Sequence, residues 1–154
     1  MKSITLIGMP GSGKSTVGKL LAQKCGVDFI DTDTSLIERH QKTLPEIISA
    51  VGEEKYIEME GEVVLSLKLS PPVIVSPGGS IIYNDLAMTF LKANSTIILL
   101  EVPLDTIQER IANHIENRGI VRLGTKNFEE LFAERTVLYR KYAEKIIPVG
   151  RGEL

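Results

Sequence analysis

The sequence contains a single cysteine, Cys25, and only two histidines, His40 and His114, among its 154 residues. One cysteine cannot form an internal disulfide, and such sparing use of cysteine is typical of the reducing cytoplasm. Two histidines without cysteine partners do not match the ligand sets of zinc sites. These scarcities exclude a disulfide-stapled scaffold and argue against a zinc-dependent function.

Long runs of one residue type are also missing. The 18 Lys and Arg residues nearly balance the 20 Asp and Glu residues, which gives a formal net charge of −2. Such a balance does not suggest a general nucleic-acid surface. No apolar stretch approaches membrane-spanning length, and a first strand so near Met1 leaves no room for a signal peptide. We therefore expect one cytoplasmic, monomeric domain over residues 1–154, without nucleic-acid or membrane partners.

The segment Gly8 to Ser15, Gly-Met-Pro-Gly-Ser-Gly-Lys-Ser, matches the phosphate-loop pattern G-x-x-x-x-G-K-S/T in full. It follows a predicted strand over residues 4–7 and opens a predicted helix over residues 14–24, with Val17, Leu20 and Leu21 on one face. Glycines allow the tight turn that lets successive N–H groups converge on phosphates, and the helix N-terminus adds its positive end.

This loop predicts a nucleoside triphosphate site. Lys14 is expected to reach the β- and γ-phosphates, and the Ser15 hydroxyl to bind Mg²⁺. The alternative is a glycine-rich strand–helix turn that binds nothing, but the complete pattern in this context favours the nucleotide. The expected ATP contacts are Gly11, Ser12, Gly13, Lys14, Ser15 and Thr16.

Short apolar runs alternate with longer amphipathic ones along the chain. Further strands are predicted over 27–30, 73–75, 96–100 and 146–149, and further helices over 34–40, 44–51, 53–69, 104–113 and 127–143. This alternation predicts a three-layer α/β/α fold of the phosphate-loop NTPase type, with a central parallel sheet of about five strands. The aperiodic segment 114–126, which carries Gly119 and Gly124, is expected to be a mobile lid.

Asp31 and Asp33 follow the second predicted strand, where residues i and i+2 of an extended segment point to one side. A phosphoryl-transfer enzyme needs a carboxylate near its magnesium and a group that orients or deprotonates the acceptor. The alternative is an Asp cap on the next helix with a solvated partner. Glu101, after the fourth strand, is a weaker second candidate for the metal.

The sequence resembles the shikimate kinases over essentially its whole length. The resemblance is carried by Gly8 to Gly18, Asp31-Thr32-Asp33, Gly52-Glu53, Glu60, Gly78-Gly79, Arg118, Arg135 and Leu138-Tyr139. It implies an enzyme that phosphorylates shikimate, a small-molecule hydroxy acid, with ATP and Mg²⁺ in aromatic amino-acid biosynthesis.

The resemblance also implies roles for individual residues. Asp31 would assist the magnesium, and Asp33 would hold the substrate hydroxyls and act as the base. Gly78 and Gly79 would pack against the substrate ring, and Arg135 would bind its carboxylate. Arg118 in the lid would meet the phosphates. Arg110 is suggested beside adenine, whereas Arg122 is expected to be a solvated surface residue.

Three departures from the family are visible. Ile57 replaces a usual arginine that pairs with the substrate carboxylate, and Ser80 replaces a usual third glycine. The family commonly continues into a C-terminal helix beyond Leu154, which leaves Arg151 as a basic candidate near adenine. Two alternatives therefore stay open here: a related kinase for another hydroxy acid or polyol, and a non-catalytic nucleotide-binding protein. Intact Lys14, Ser15, Asp31, Asp33 and Arg118 favour an enzyme.

Overall fold

A five-stranded, all-parallel sheet forms the centre of the molecule in a computed structural model, which describes residues 1–112, 120–123 and 126–150. The strands are β1 (Ser3–Ile7), β2 (Asp28–Asp31), β3 (Val73–Ser76), β4 (Ser95–Glu101) and β5 (Lys145–Pro148), in the order β2-β3-β1-β4-β5. The α/β fold with a parallel sheet is confirmed, and β5, which contains Pro148, lies at an edge as predicted.

Seven α-helices lie within the described ranges. They are α1 (Lys14–Cys25), α2 (Thr32–His40), α3 (Leu44–Val51), α4 (Glu53–Leu65), α5 (Asp85–Asn94), α6 (Leu104–Ile111) and α7 (Phe128–Tyr142). A 3₁₀ helix over Gly79–Tyr83 follows β3. None of these helices is long and apolar enough to cross a membrane.

The helices cover both faces of the sheet. Successive strand residues point to opposite faces, so Leu6 packs in one cluster with Ala22 of α1, and Ile7 packs in another with Met88 of α5. Interior strand β4 carries the fully buried Ile97, in agreement with its apolar sequence.

Several predicted boundaries were wrong. Helix α4 ends at Leu65 rather than residue 69, and Leu20, which was expected on the buried face of α1, is exposed. The packed face of α1 is formed instead around the small residues Gly18 and Ala22, which let the helix approach the sheet. Helix α2 begins at Thr32, so Asp33 belongs to a helix and not to an extended segment.

The chain order places the carboxyl ends of three strands side by side. Strand β3 pairs with β1 on one side and with β2 on the other, in parallel. The segments after β1, β2 and β3 therefore meet at one edge of the sheet, where ligands bind in folds of this kind.

Candidate active site

The phosphate loop joins β1 to α1 through glycines that a larger residue could not replace without strain. Gly13 caps α1 with φ 93°, and no side chain occupies its capping position. Gly11 has φ 83°, and a β-carbon there would lie 2.8 Å from Ile111 Cγ2. The first backbone N–H groups of α1 thus remain for an anionic ligand, and the positive end of the helix dipole adds to the attraction.

Lys14 folds back onto this loop. Its Nζ donates hydrogen bonds to the carbonyl oxygens of Gly8 at 2.8 Å and Met9 at 3.0 Å. The ammonium group is thereby held against the backbone of the phosphate loop, and Lys14 lines the adjoining cavity.

Ser15 and Asp31 form a pair of oxygen ligands beside the loop. The Ser15 hydroxyl donates to Asp31 Oδ2 at 2.8 Å. Asp31 Oδ1 accepts from the backbone N–H groups of Asp33 at 2.9 Å and Thr34 at 3.3 Å, so Asp31 also caps α2. Asp31 therefore does cap the helix that follows it, as the alternative interpretation expected. It also contacts Ser15 of the phosphate loop, because the cap uses Oδ1 and the contact with Ser15 uses Oδ2.

The Asp33 carboxylate is buried, whereas the alternative interpretation expected it to be solvated. Its Oδ1 is inaccessible to water and has no hydrogen-bond partner. Burial, and secondly the negative charge of Asp31, raise the pKa of Asp33 to about 6, against the opposing charge of Lys14. A carboxylate with such a pKa is ionised at neutral pH yet basic enough to accept a proton, as a general base must be.

The turn after β3 packs its backbone against two carboxyl groups. Gly78 N–H donates to Thr32 Oγ1 at 3.3 Å, and a β-carbon at Gly78 would lie within 2.8 Å of both Asp33 Oδ1 and Glu60 Oε2. The Ser80 hydroxyl donates a short hydrogen bond to Glu60 Oε1. Only glycine fits at residue 78 while both carboxyl groups keep these positions.

Arg135 of α7 is almost fully buried, at 1% exposure. Its Nη2 donates to the Val121 carbonyl at 2.8 Å, and its guanidinium lies 5.5 Å from the ring centroid of Tyr83. Arg135 Nε is buried without a hydrogen-bond partner, and no carboxylate of the described residues forms an ion pair with this side chain. A buried guanidinium without an ionic partner is suited to an anionic group of a ligand.

These groups surround one open cavity of about 600 Å³. Polar and glycine residues of the phosphate loop form one side, and apolar side chains of α2, α3 and α4 form another. The wall includes Gly11, Gly13, Lys14, Ser15, Thr16, Asp31, Asp33, Ile37, Leu44, Tyr56, Gly78, Gly79, Ser80, Arg110 and Arg135. The cavity thus combines a phosphate-binding turn, a buried base and a buried cation.

Other residues singled out in the sequence have different surroundings. Arg110 lines the cavity and donates to the Gly11 carbonyl at 3.1 Å, beside the phosphate loop. Glu101 does not line the cavity, and both of its oxygens accept hydrogen bonds at 2.8 Å from Arg140. The expectation that Arg122 is merely solvated was wrong: its guanidinium lies 4.6 Å from the Tyr83 ring centroid.

Part of the predicted site lies outside the described residues. Arg118 and Arg151 belong to this part, as does most of the predicted lid over 114–126. Ser12, by contrast, is fully buried within the phosphate loop, where its backbone N–H donates to the Met9 carbonyl at 3.0 Å.

Sequence reasoning gave no role to Glu60, although a signal was present. Glu60 lies on the same face of α4 as Tyr56 and Val64, and both neighbours are buried. A carboxylate at such a position predicts either a buried ion pair or a functional group, since a charged side chain is rarely buried without a partner.

Ile57 is a core residue in this fold. It packs with Leu36, Ile47 and Val63, is 6% exposed, and does not contribute to the wall of the cavity. Arg135 is consequently the one described arginine on the cavity wall that lies beside Gly79, whereas Arg110 lies at the phosphate loop.

Comparisons with known proteins agree with this geometry. A sequence model described as shikimate kinase matches residues 10–152. A shikimate kinase of Persephonella marina is 34% identical over 99% of this chain and 92% of its own length. The structure of the Acinetobacter baumannii shikimate kinase in complex with shikimate superposes with a TM-score of 0.90 at 28% identity, covering 99% of this chain and 86% of the other. The Aquifex aeolicus shikimate kinase structure gives 0.78 at 31% identity, covering 95% and 85%.

Proposed function

The chain belongs to the shikimate kinase family, and we infer that it is an ATP-dependent phosphotransferase that phosphorylates a hydroxyl group of shikimate. The observation that carries this function is that Lys14, Asp33 and Arg135 all line one cavity. A kinase for a carboxylated polyol needs these three groups: a cation for the phosphates, a base for the hydroxyl and a cation for the carboxylate.

Phosphoryl transfer follows from the positions of Lys14 and Asp33. Asp33 accepts the proton of the acceptor hydroxyl while the hydroxyl oxygen forms a bond to the γ-phosphorus of ATP. The bond between the γ-phosphorus and the β–γ bridging oxygen breaks, and ADP leaves with that electron pair. Lys14 and the N–H groups at the start of α1 stabilise the charge that develops on the phosphate oxygens.

Ser15 and Asp31 are the residues that we assign to Mg²⁺. A hydroxyl and a carboxylate are oxygen ligands of the kind that Mg²⁺ prefers, and a 2.8 Å hydrogen bond holds the two groups side by side. The described residues contain no cluster of three acidic, histidine or cysteine side chains, which suits a metal held by two protein groups together with phosphates and water. When bound, Mg²⁺ supplies positive charge to the phosphates.

The acceptor's carboxylate is assigned to Arg135. Because residue 57 is a buried isoleucine, this carboxylate lacks the second arginine that is usual in the family. The glycine backbone at 78 and 79 lines the cavity beside Asp33 and Arg135, and we assign the ring of the acceptor to this part of the wall. Arg110 is assigned to the nucleotide side, because its hydrogen bond to Gly11 places it beside the phosphate loop.

Release of ADP in a coupled assay tests the function directly. We expect turnover that depends on shikimate and on Mg²⁺. Arg135→Gln should raise the KM for shikimate about 10- to 100-fold, the equivalent of one charge-assisted hydrogen bond, with little change in the KM for ATP. Arg140→Gln is the matched control, because Arg140 pairs with Glu101 and does not line the cavity. Turnover that another hydroxy acid supports and shikimate does not would overturn the substrate assignment.

A further inference from the structure

Glu60 is the most deeply buried acidic side chain near the cavity, at 0% exposure. Ser80 satisfies Oε1 with a hydrogen bond, but Oε2 is inaccessible to water and has no partner. Asp33 Oδ1 is in the same condition. Two buried carboxyl oxygens without donors are an unusual arrangement, because buried polar atoms are nearly always hydrogen-bonded.

The two unpartnered oxygens border the same small space beside Gly78. A β-carbon at this residue would contact both of them within 2.8 Å, and glycine leaves that space open. Two ionised carboxylates that border one small buried space repel strongly. A single proton between them removes the repulsion and gives both oxygens a hydrogen bond.

The other charged and titratable groups around Glu60 are compatible with a proton on its carboxyl group. Asp33 faces it from α2, Tyr56 from its own helix, and Arg135 and Tyr139 from α7. Arg135 is the only cation among these groups, and no ion pair joins it to Glu60. Residue 57, one turn before Glu60 on α4, is an isoleucine and supplies no charge.

We propose that Glu60 is a positioning and specificity-determining residue that works as the neutral acid, donating from Oε2 to Asp33 Oδ1 and accepting from Ser80 at Oε1. The hydrogen bond fixes the base Asp33. The missing negative charge leaves the positive charge of Arg135 available to the carboxylate of the acceptor. The second role rests on the proposed function, whereas the protonation of Glu60 does not.

Electrostatics agree with this geometry. Burial, and secondly the negative charge of Asp33, raise the pKa of Glu60 to about 8, although Ser80 and Arg135 act in the opposite direction. Glu60 is therefore predominantly neutral at pH 7, and it ionises as the pH rises through about 8.

Two substitutions separate a neutral Glu60 from an ionised one. Glu60→Gln keeps a donor toward Asp33 and an acceptor toward Ser80, so kcat and the KM for shikimate should stay within about threefold of wild type at pH 7. Glu60→Met has a similar length but no donor, and kcat should fall about 10- to 100-fold with an unchanged KM for ATP. If Glu60 works as an anion, Glu60→Gln and Glu60→Met will impair turnover alike, and the proposal is overturned.

The pH profile gives a readout that a purely structural role would not change. In wild type, the KM for shikimate should rise above pH 8, as ionised Glu60 begins to cancel the charge of Arg135. Glu60→Gln should abolish this rise, and Glu62→Gln, an exposed change on the same helix, should preserve it. A rise that persists in Glu60→Gln would contradict the proposed effect on Arg135.

Infrared spectroscopy of the ligand-free protein tests the proton without turnover. With ¹³C-labelled glutamate, wild type at pH 7 should show the C=O band of a protonated carboxyl group, and Glu60→Gln should lack it. The band without any phosphorylation of shikimate would overturn the substrate assignment and leave the protonation of Glu60 standing. Absence of the band in wild type would refute the proposal even if shikimate is phosphorylated.

Discussion

Replacement of Glu60 by glutamine should change how the stability of the folded protein depends on pH. The ordinary pKa of a glutamate is 4.5, and burial raises that of Glu60 to about 8. Because the folded state holds this proton more tightly than the unfolded state, the free energy of unfolding falls as pH rises between these two values. Glutamine does not titrate, so the free energy of unfolding of Glu60→Gln should not show this fall.

The size of the effect follows from the pKa. One pH unit over this range is worth about 1.4 kcal/mol for a single group, so the penalty on wild type reaches about 5 kcal/mol above pH 8. Below pH 4.5 glutamine and protonated glutamate have nearly the same shape and hydrogen bonds, and the two proteins should be equally stable. A change of this size is large against the 5–15 kcal/mol that typically separates folded from unfolded states.

Urea unfolding at pH 5, 6.5 and 8.5 measures the difference. We expect the free energy of unfolding of Glu60→Gln to exceed that of wild type by an amount that grows with pH. Glu62→Gln should show no such growth, because residue 62 is exposed. A difference that stays constant with pH, or that comes to favour wild type at alkaline pH, would refute the reasoning, since an ionised Glu60 paired with Arg135 predicts the latter.

Three other substitutions test separate parts of the site. Lys14→Ala should abolish phosphoryl transfer in the ADP-release assay while melting as wild type does, and near-normal turnover would overturn the phosphate-loop assignment. Asp33→Asn should lower kcat by about 10² or more with ATP binding retained, the usual effect of losing a general base; weaker ATP binding with normal kcat would make Asp33 a nucleotide residue. Ile57→Arg places a charge in an apolar cluster and should cost about 3 kcal/mol by urea unfolding, with Ile57→Leu as control; unchanged stability together with tighter shikimate binding would contradict this.

Local sequence was sufficient to predict the elements that carry the site. The phosphate loop and the β–α alternation have strong short-range signals, and the structure has them where the sequence predicts. The segment Asp85–Asn94 received no prediction, although Asn84 caps it and its buried residues Ala87, Met88 and Leu91 have helical spacing. The Asn84 cap and this spacing are short-range signals, so the helix could have been predicted from the sequence.

Long-range placement was beyond the sequence. Strand order in a parallel sheet depends on how crossover helices pack, and no single segment encodes it. The same limit applies to Arg110, whose partner Gly11 is 99 residues away. Asp33 lines the cavity, but for a different reason from the one predicted. It lies in the first turn of helix α2 and not in an extended segment, so strand alternation does not set its direction.

Two of the departures from the family, Ile57 and Ser80, both affect the surroundings of Glu60. Residue 57 precedes Glu60 by one turn on α4, and as an isoleucine it supplies no charge to Glu60. Ser80, in place of a glycine, donates a hydrogen bond to Glu60 Oε1. A neutral hydroxyl that donates to one carboxyl oxygen satisfies a protonated glutamate, whereas a fully buried carboxylate would require a cation. Ile57 and Ser80 together therefore suit an uncharged Glu60. With Ile57 at this position, recognition of the acceptor's carboxylate is left to Arg135.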